Sequence, residues 1–260
     1  MNTNIYTYGN DARVNVCREY LEKHLAEGLN NVFILPIPST RDGEHLTGTQ
    51  KKLCELASDA SQGDLIIGYG LPKFFADAVL ERGAVCIDAA EDEEYLMQGA
   101  LQTATGAMAK ILCCTGIAPE DIRIGIIGFG RIGKRLAEIF TFLGSEVTVF
   151  TSRARLRIEL GRLGIRAVTD AELSLARQGL IPNPFESLDI LVNTAPAAKL
   201  NSSDAEALSR VSVIELASGG NIPDGIPYVR YASVPAELFP RSAGIAYGEF
   251  AVRKIKEKAL

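Results

Sequence analysis

The sequence predicts an α/β protein of two open parallel-sheet domains joined by a long helix, with the C-terminal helix returning to the first domain. Three observations carry that prediction. Short apolar segments alternate with amphipathic ones through the first 90 residues, at the spacing of parallel βαβ units. The alternation resumes at 122–133, Ile-Arg-Ile-Gly-Ile-Ile-Gly-Phe-Gly-Arg-Ile-Gly, where an apolar strand runs into a glycine-rich turn and then a helix. Between these regions lies one long helical stretch, Glu91 to Cys114. The domains divide as 1–95, with helix 241–260 packing back on it, and 96–240.

In the first domain Asn4–Tyr8 reads as a strand, and Asp11 caps the helix that carries Val14, Cys17, Tyr20, Leu21 and Leu25. Asn31–Leu35 is a second strand, ended by Pro36 and Pro38. Helix Lys51–Ser61, strand Asp64–Gly68, helix Lys73–Arg82 and strand Ala84–Asp88 follow. The long helix opens on Glu91, Asp92, Glu93 and Glu94, which suits the positive end of a helix dipole. Its middle is rich in small residues, among them Gly99, Ala100, Thr103, Ala104, Gly106 and Ala107. Glycine inside a helix costs about 1 kcal/mol relative to alanine, so this stretch implies close approach of another backbone or a ligand, or tight helix packing alone.

The turn at 128–133 has the G-x-G-x-x-G spacing of a dinucleotide-binding, Rossmann-like unit. Gly128 permits the tight turn, Gly130 admits a pyrophosphate, and Gly133 lets the new helix pack against the strand. Phe129, Arg131 and Ile132 complete the cradle at the helix N-terminus. The expected context surrounds it: an amphipathic helix (Leu136, Ile139, Phe140, Leu143) closed by Gly144, then strand Glu146–Phe150. About 20 residues on, an NAD site usually places Asp or Glu on the ribose. Here stand Thr151, Ser152 and Arg153, with Arg155 and Arg157 behind. A hydroxyl and a guanidinium suit a 2′-phosphate, which favours NADP over NAD. The alternative is that these arginines decorate a solvated helix.

Helix Arg155–Leu163 and strand Arg166–Thr169 come next, then a stretch, 170–187, without a clear pattern. Strand Leu188–Asn193 ends in Thr194-Ala195-Pro196, and strand Val211–Leu216 ends in Ala217-Ser218-Gly219-Gly220. Ligands in open α/β sheets bind beyond strand carboxyl ends, so Thr194, Ala195, Pro196, Ala217 and Ser218 are candidates for the nicotinamide side. Tyr228–Ala232 is a last strand, and the final helix runs from Ser242 to about Lys258. Ser39, Thr40 and Arg41 lie after the second strand, and Arg241 and Ser242 at the start of the final helix. Both sets suit a carboxylate substrate at the interdomain cleft, and both also suit a polar loop and a surface helix cap.

A net charge of −5 argues against nucleic acid as a partner. No basic segment followed by an apolar run opens the chain, and no apolar stretch is long enough to span a membrane. A cytoplasmic location is expected. Five cysteines without C-x-x-C spacing read as buried thiols in a reducing compartment. With only two histidines, no metal site is expected.

Over nearly its full length the chain resembles the A-subunits of dipicolinate synthase, relatives of the D-2-hydroxyacid dehydrogenases. The resemblance lies in Gly9–Arg13, Ile34-Leu35-Pro36 and the glycine fingerprint followed by Ser152-Arg153. It extends to Asn193–Pro196, Glu215–Ser218 and Pro240–Gly244. It implies oxidation of dihydrodipicolinate, or a related small cyclic dicarboxylate, to dipicolinate for the developing spore. It also implies a nicotinamide cofactor and partnership with a flavoprotein-like B-subunit; a homo-oligomer is expected. The chain departs from its relatives. The Arg, Glu and His set of the hydroxyacid dehydrogenases is missing, and the family's P-T-x-E-G run is here Gln102-Thr103-Ala104-Thr105-Gly106. Thr103 stays a substrate-side candidate, but no glutamate follows it. These losses keep a second reading open, a non-catalytic NAD(P)-binding sensor or complex subunit.

Overall fold

The computed structural model describes residues 3–25, 30–197 and 199–257. They fall into two units, Met1–Gly99 with Pro235–Leu260, and Ala100–Val234. The first unit is built from β1 (Asn4–Thr7), α1 (Ala12–His24), β2 (Asn31–Ile34), α2 (Leu53–Asp59), β3 (Leu65–Gly68), α3 (Lys73–Glu81) and β4 (Val85–Asp88). The four strands form a parallel sheet in the order β1-β2-β3-β4. β3 is buried on both faces, as its unbroken apolar sequence requires. Val32, Ile34, Leu65 and Ile67 cluster with Val14, Cys17 and Leu21 of α1. Ile66 clusters instead with Leu53 and Leu56 of α2 and Phe75 and Val79 of α3. Asp11 caps α1 as expected, accepting from the Arg13 amide. Its carboxylate also takes the guanidinium of Arg13, which donates on to the Ile37 carbonyl (both 2.6 Å).

The unit boundary falls inside α4 (Glu93–Thr115). Small residues of this helix have a packing role: Ala104 and Ala107 are buried, with Ile111, in one cluster with Ile122, Ile124 and Phe140 of the second unit's core. That unit contains β5 (Arg123–Ile127), α5 (Arg131–Phe142), β6 (Glu146–Thr151), α6 (Leu156–Arg162), β7 (Arg166–Thr169), α7 (Asp170–Arg177), β8 (Ile190–Asn193), β9 (Ser212–Glu215) and β10 (Val229–Arg230). Its parallel sheet has the order β10-β9-β8-β5-β6-β7. The chain therefore starts in the middle at β5, builds outward through β6 and β7, and returns to build the other side from β8. The carboxyl ends of β5 and β8 form the switch point where such sheets bind ligands.

After α8 (Val234–Leu238), α9 (Pro240–Glu257) returns to the first unit and packs along α1. Glycine makes the contact close. A Cβ on Gly244 would sit 2.6 Å from the Arg13 carbonyl, and one on Gly248 2.6 Å from the Tyr20 ring. Tyr247, Phe250 and Ala251 complete the core over β2, β3 and α1.

Several expectations need correction. The patternless stretch 170–187 opens with α7, whose N-terminus is a capping box: Thr169 Oγ1 accepts from the Glu172 amide, and Glu172 accepts from the Thr169 amide. Helix α9 starts at Pro240 rather than Ser242, because proline's fixed φ suits a first helical position. The expected end near Lys258 lies outside the described residues. The thiols are not generally buried. Cys17 is, but Cys54, Cys113 and Cys114 are exposed, the last two on the solvent side of the final turn of α4.

Candidate functional site

Beyond Ile127 the chain reverses at Gly128, where φ is +91°. A Cβ there would crowd Thr194 Oγ1 and the Ala195 methyl at 3.1 Å, and one on Gly133 would lie 2.3 Å from the Gly128 carbonyl. Gly130 differs: a Cβ on it would meet nothing within 4 Å, so the crest of the turn is open. Gly130 is also the N-cap of α5 and supplies no capping side chain. The first amides of α5 thus face an open cradle, the arrangement that binds a phosphate through amides and the helix dipole. Gly128 and Gly133 thus meet tight steric constraints, and the space above Gly130 is open.

The cradle opens into a cavity of about 250 Å³. Gly128–Gly130 form one side, Phe150–Arg153 a second, and Thr194–Ala197 with Lys199 a third. At the end of β6, Thr151 is buried and its Oγ1 accepts from the Arg153 amide at 3.2 Å. Ser152 and Arg153 are exposed, and Arg153 Nη2 donates to the Phe129 carbonyl at 2.5 Å. A guanidinium therefore spans from the second strand to the glycine turn, and no carboxylate stands at 151–153. Lys199 adds another cation, held by Asp170 at 2.7 Å. Arg157 is paired with Glu172 at 3.0 Å, while Arg155 is exposed at the start of α6.

Thr194 fixes the opposite wall. Its amide and its hydroxyl both donate to the Ile127 carbonyl, at 3.0 and 2.9 Å. Ala195 and Pro196 follow it along the cavity. Ala217 and Ser218 do not border this cavity. Ala217 is buried beside Glu215, and the Ser218 carbonyl accepts from Arg230. Arg131 is exposed on the first turn of α5 and Ile132 is half-buried behind it. Phe150 and Lys199 are lining residues that the sequence pattern did not single out. The buried pair Asn193 and Glu215, two polar residues at the ends of adjacent apolar strands, does not line the cavity, and the sequence pattern assigned these two no role of their own.

The substrate candidates fare differently. Ser39 is wholly buried, and its hydroxyl accepts from the Tyr69 amide at 2.8 Å, so it is committed to the loop's own fold. Thr40 Oγ1 donates to Asp42 and accepts from the Gly43 amide, which makes it a turn former. Arg41 is exposed beside them. Arg241 borders a separate cavity in the first unit, about 370 Å³, with Val16, Glu19, Tyr20, Lys23, His24 and Ile245, and Arg41 is not part of its wall. Ser242 is exposed next to it, and Thr103 is half-buried on α4. Among the described residues no cluster of His, Cys, Asp and Glu could hold a metal, and no helix is long and apolar enough to cross a membrane.

The strand order and the glycine turn define a Rossmann-like α/β fold. No protein-family model and no curated protein matches the chain. Solved structures do, and they bear out in the fold the resemblance carried by the sequence. The chain is similar to the A-subunit of dipicolinate synthase from Bacillus halodurans, at 17% identity and a TM-score of 0.76 over 97% of both chains. It is similar also to the corresponding chain of dipicolinate synthase from Bacillus subtilis, at 17% identity and a TM-score of 0.73 over 99% of this chain and 97% of that one. A D-isomer specific 2-hydroxyacid dehydrogenase from Lactobacillus delbrueckii ssp. bulgaricus, solved in an NAD-complexed form, shares the fold at 12% identity and a TM-score of 0.55, over 99% and 98% of the two chains.

Proposed function

We propose that the chain is a nicotinamide-dependent oxidoreductase of the dipicolinate synthase type, with NADP as its cofactor and a small cyclic dicarboxylate, dihydrodipicolinate foremost, as its substrate. The observation that carries the reading is the cavity at the switch point. It is floored by an uncapped helix N-terminus and walled by an arginine where NAD sites place a carboxylate. Gly128, Gly130 and the first amides of α5 would hold the pyrophosphate, and Ser152 and Arg153 the 2′-phosphate. When bound, the nicotinamide supplies a hydride acceptor. Thr194, Ala195 and Pro196 would line the cofactor's nicotinamide side and orient it. Aromatising a dihydropyridine is favourable, so with the hydride passing to the nicotinamide and the proton to water, orientation can suffice without a strong base. Arg41, Arg241 and Ser242 are proposed grips for the substrate carboxylates, each to be judged separately. The proposed partnerships are self-association and a complex with a flavoprotein-like protein.

The test is a titration of the purified protein with NADPH and NADH, followed by turnover with dihydrodipicolinate and NADP. Tighter NADPH binding with cofactor reduction supports the proposal; absence of binding to either cofactor overturns it. The second reading, a non-catalytic cofactor-binding sensor or complex component, has its own support. Among the described residues that line the cavity there is neither a histidine nor a carboxylate to take part in proton transfer. NADPH binding without turnover would favour it.

A further inference from the structure

Glu215 carries a wholly buried carboxylate at the end of β9. Burying a carboxylate is costly unless donors surround it. Here Oε1 accepts from the Ala217 amide at 2.7 Å, and Oε2 from the Asn221 amide at 3.2 Å. Asn193 Nδ2, directly opposite on β8, bridges both oxygens at 3.2 and 3.0 Å. The other end of that amide is also used, since Asn193 Oδ1 accepts from the Ala195 amide at 3.1 Å. Asn221 closes the circuit, its Nδ2 donating to the Pro196 carbonyl. One buried pair thus ties together the loops that follow β8 and β9. The first of these loops is the Ala195–Pro196 wall of the cavity.

We infer that Glu215 and Asn193 are positioning residues that shape this wall to receive the nicotinamide-ribose half of the dinucleotide. The adenosine half is held independently, by the glycine turn and Thr151–Arg153. The inference rests on the dinucleotide reading above and assigns within it a division of labour. Glu215 touches no ligand itself; it acts through Ala195, Pro196 and the Ala217–Asn221 loop. In Glu215→Gln either orientation of the amide sets an NH₂ against a backbone N–H donor, so one loop must shift.

The experiment compares two ligands on the full-length chain by calorimetric titration: NADPH, and 2′-phosphoadenosine diphosphoribose, which lacks the nicotinamide. If the wild type prefers NADH, then NADH and ADP-ribose take their places. Glu215→Gln should weaken the dinucleotide about tenfold while the fragment changes by less than about twofold, the scale of one lost charge-assisted hydrogen bond. Asn221→Ala, which removes only the tie to Pro196, should show the same pattern at about threefold. A merely structural role would weaken both ligands together, and that result overturns the inference, as does unchanged dinucleotide binding. If Glu215→Gln fails to fold, Asn221→Ala decides alone by the same criterion. A wild type that binds neither dinucleotide defeats the underlying reading and this inference with it. Binding without discrimination by the variants defeats the inference only.

Discussion

At position 153 a guanidinium reaches across to the Phe129 carbonyl, where an NAD-type site would hold a carboxylate against the ribose. A charge-assisted contact of this kind contributes about 1.5–3 kcal/mol, or roughly 10- to 150-fold in affinity. Arg153→Asp should therefore weaken NADPH by that factor and leave NADH nearly unchanged, read from paired titrations. Equal losses for both cofactors would contradict the assignment. The glycine turn offers a second residue-level check. Gly133→Ala forces a methyl to 2.3 Å from the Gly128 carbonyl, an overpacking against backbone that costs about 1–3 kcal/mol. A lowered melting temperature and lost cofactor binding should appear together, whereas Gly130→Ala, whose methyl enters open space, should lose binding but keep stability. The glycine fingerprint was legible in sequence because Gly128 and Gly133 answer backbone constraints that are visible as spacing. The bond that Ser39 accepts from Tyr69, 30 residues away, was not legible, because no local pattern announces it.

Among the elements, strands and helices with clear apolar periods were legible to within a residue or two, and β7 matched its expected bounds. Helix α7 was not, because Pro182 and Pro184 downstream dominated the reading although Thr169 and Glu172 already spelled a capping box. The acidic residues at the start of α4 were read as complements to its dipole, but Asp92 has a more specific partner on α9. Its carboxylate binds the Arg253 guanidinium at 2.8 and 2.9 Å and Lys254 at 3.1 Å. The hydrogen bonds from Arg253 hold its pKa well below the usual carboxylate range, against the opposing effect of desolvation, with the Tyr95 amide and Lys254 adding to the lowering. A folded-state pKa below the unfolded one means stability that is fully present above the unfolded value, about 4. It is lost as pH falls through the folded value. Asp92→Asn should lower the melting temperature at neutral pH and reduce the acid sensitivity of the wild type below about pH 4. Parallel stability curves for variant and wild type across that acid range would argue against a native ion pair.

The order of elements along the whole chain makes the first unit discontinuous: its sheet is complete by Asp88, yet part of its core arrives with α9, more than 150 residues later in the chain. The return of this helix was expected from the fold class that the sequence predicts. Its energetic weight was not legible, since the close packing of α1 against Gly244 and Gly248 leaves no local sign in the sequence of α9. Tyr247, Phe250 and Ile255 are all buried in the α1 core, and large side chains contribute about 1.5–3 kcal/mol each when fully buried. Their joint contribution approaches the 5–15 kcal/mol that typically separates a folded domain from its unfolded chain. The second unit has its own clusters, centred on Ile124, Phe140 and Val192 and on Phe185 and Leu191, and it holds every described residue that lines the cavity at the glycine turn. A chain ending at Phe239 should therefore lose hydrogen-exchange protection throughout β1–β4, keep it in β5, β6 and β8, and still bind NADPH within about threefold of the full-length protein. Loss of protection in both units at once would show that they fold as one cooperative body, and retained protection in β1–β4 would show that α9 is dispensable to the first.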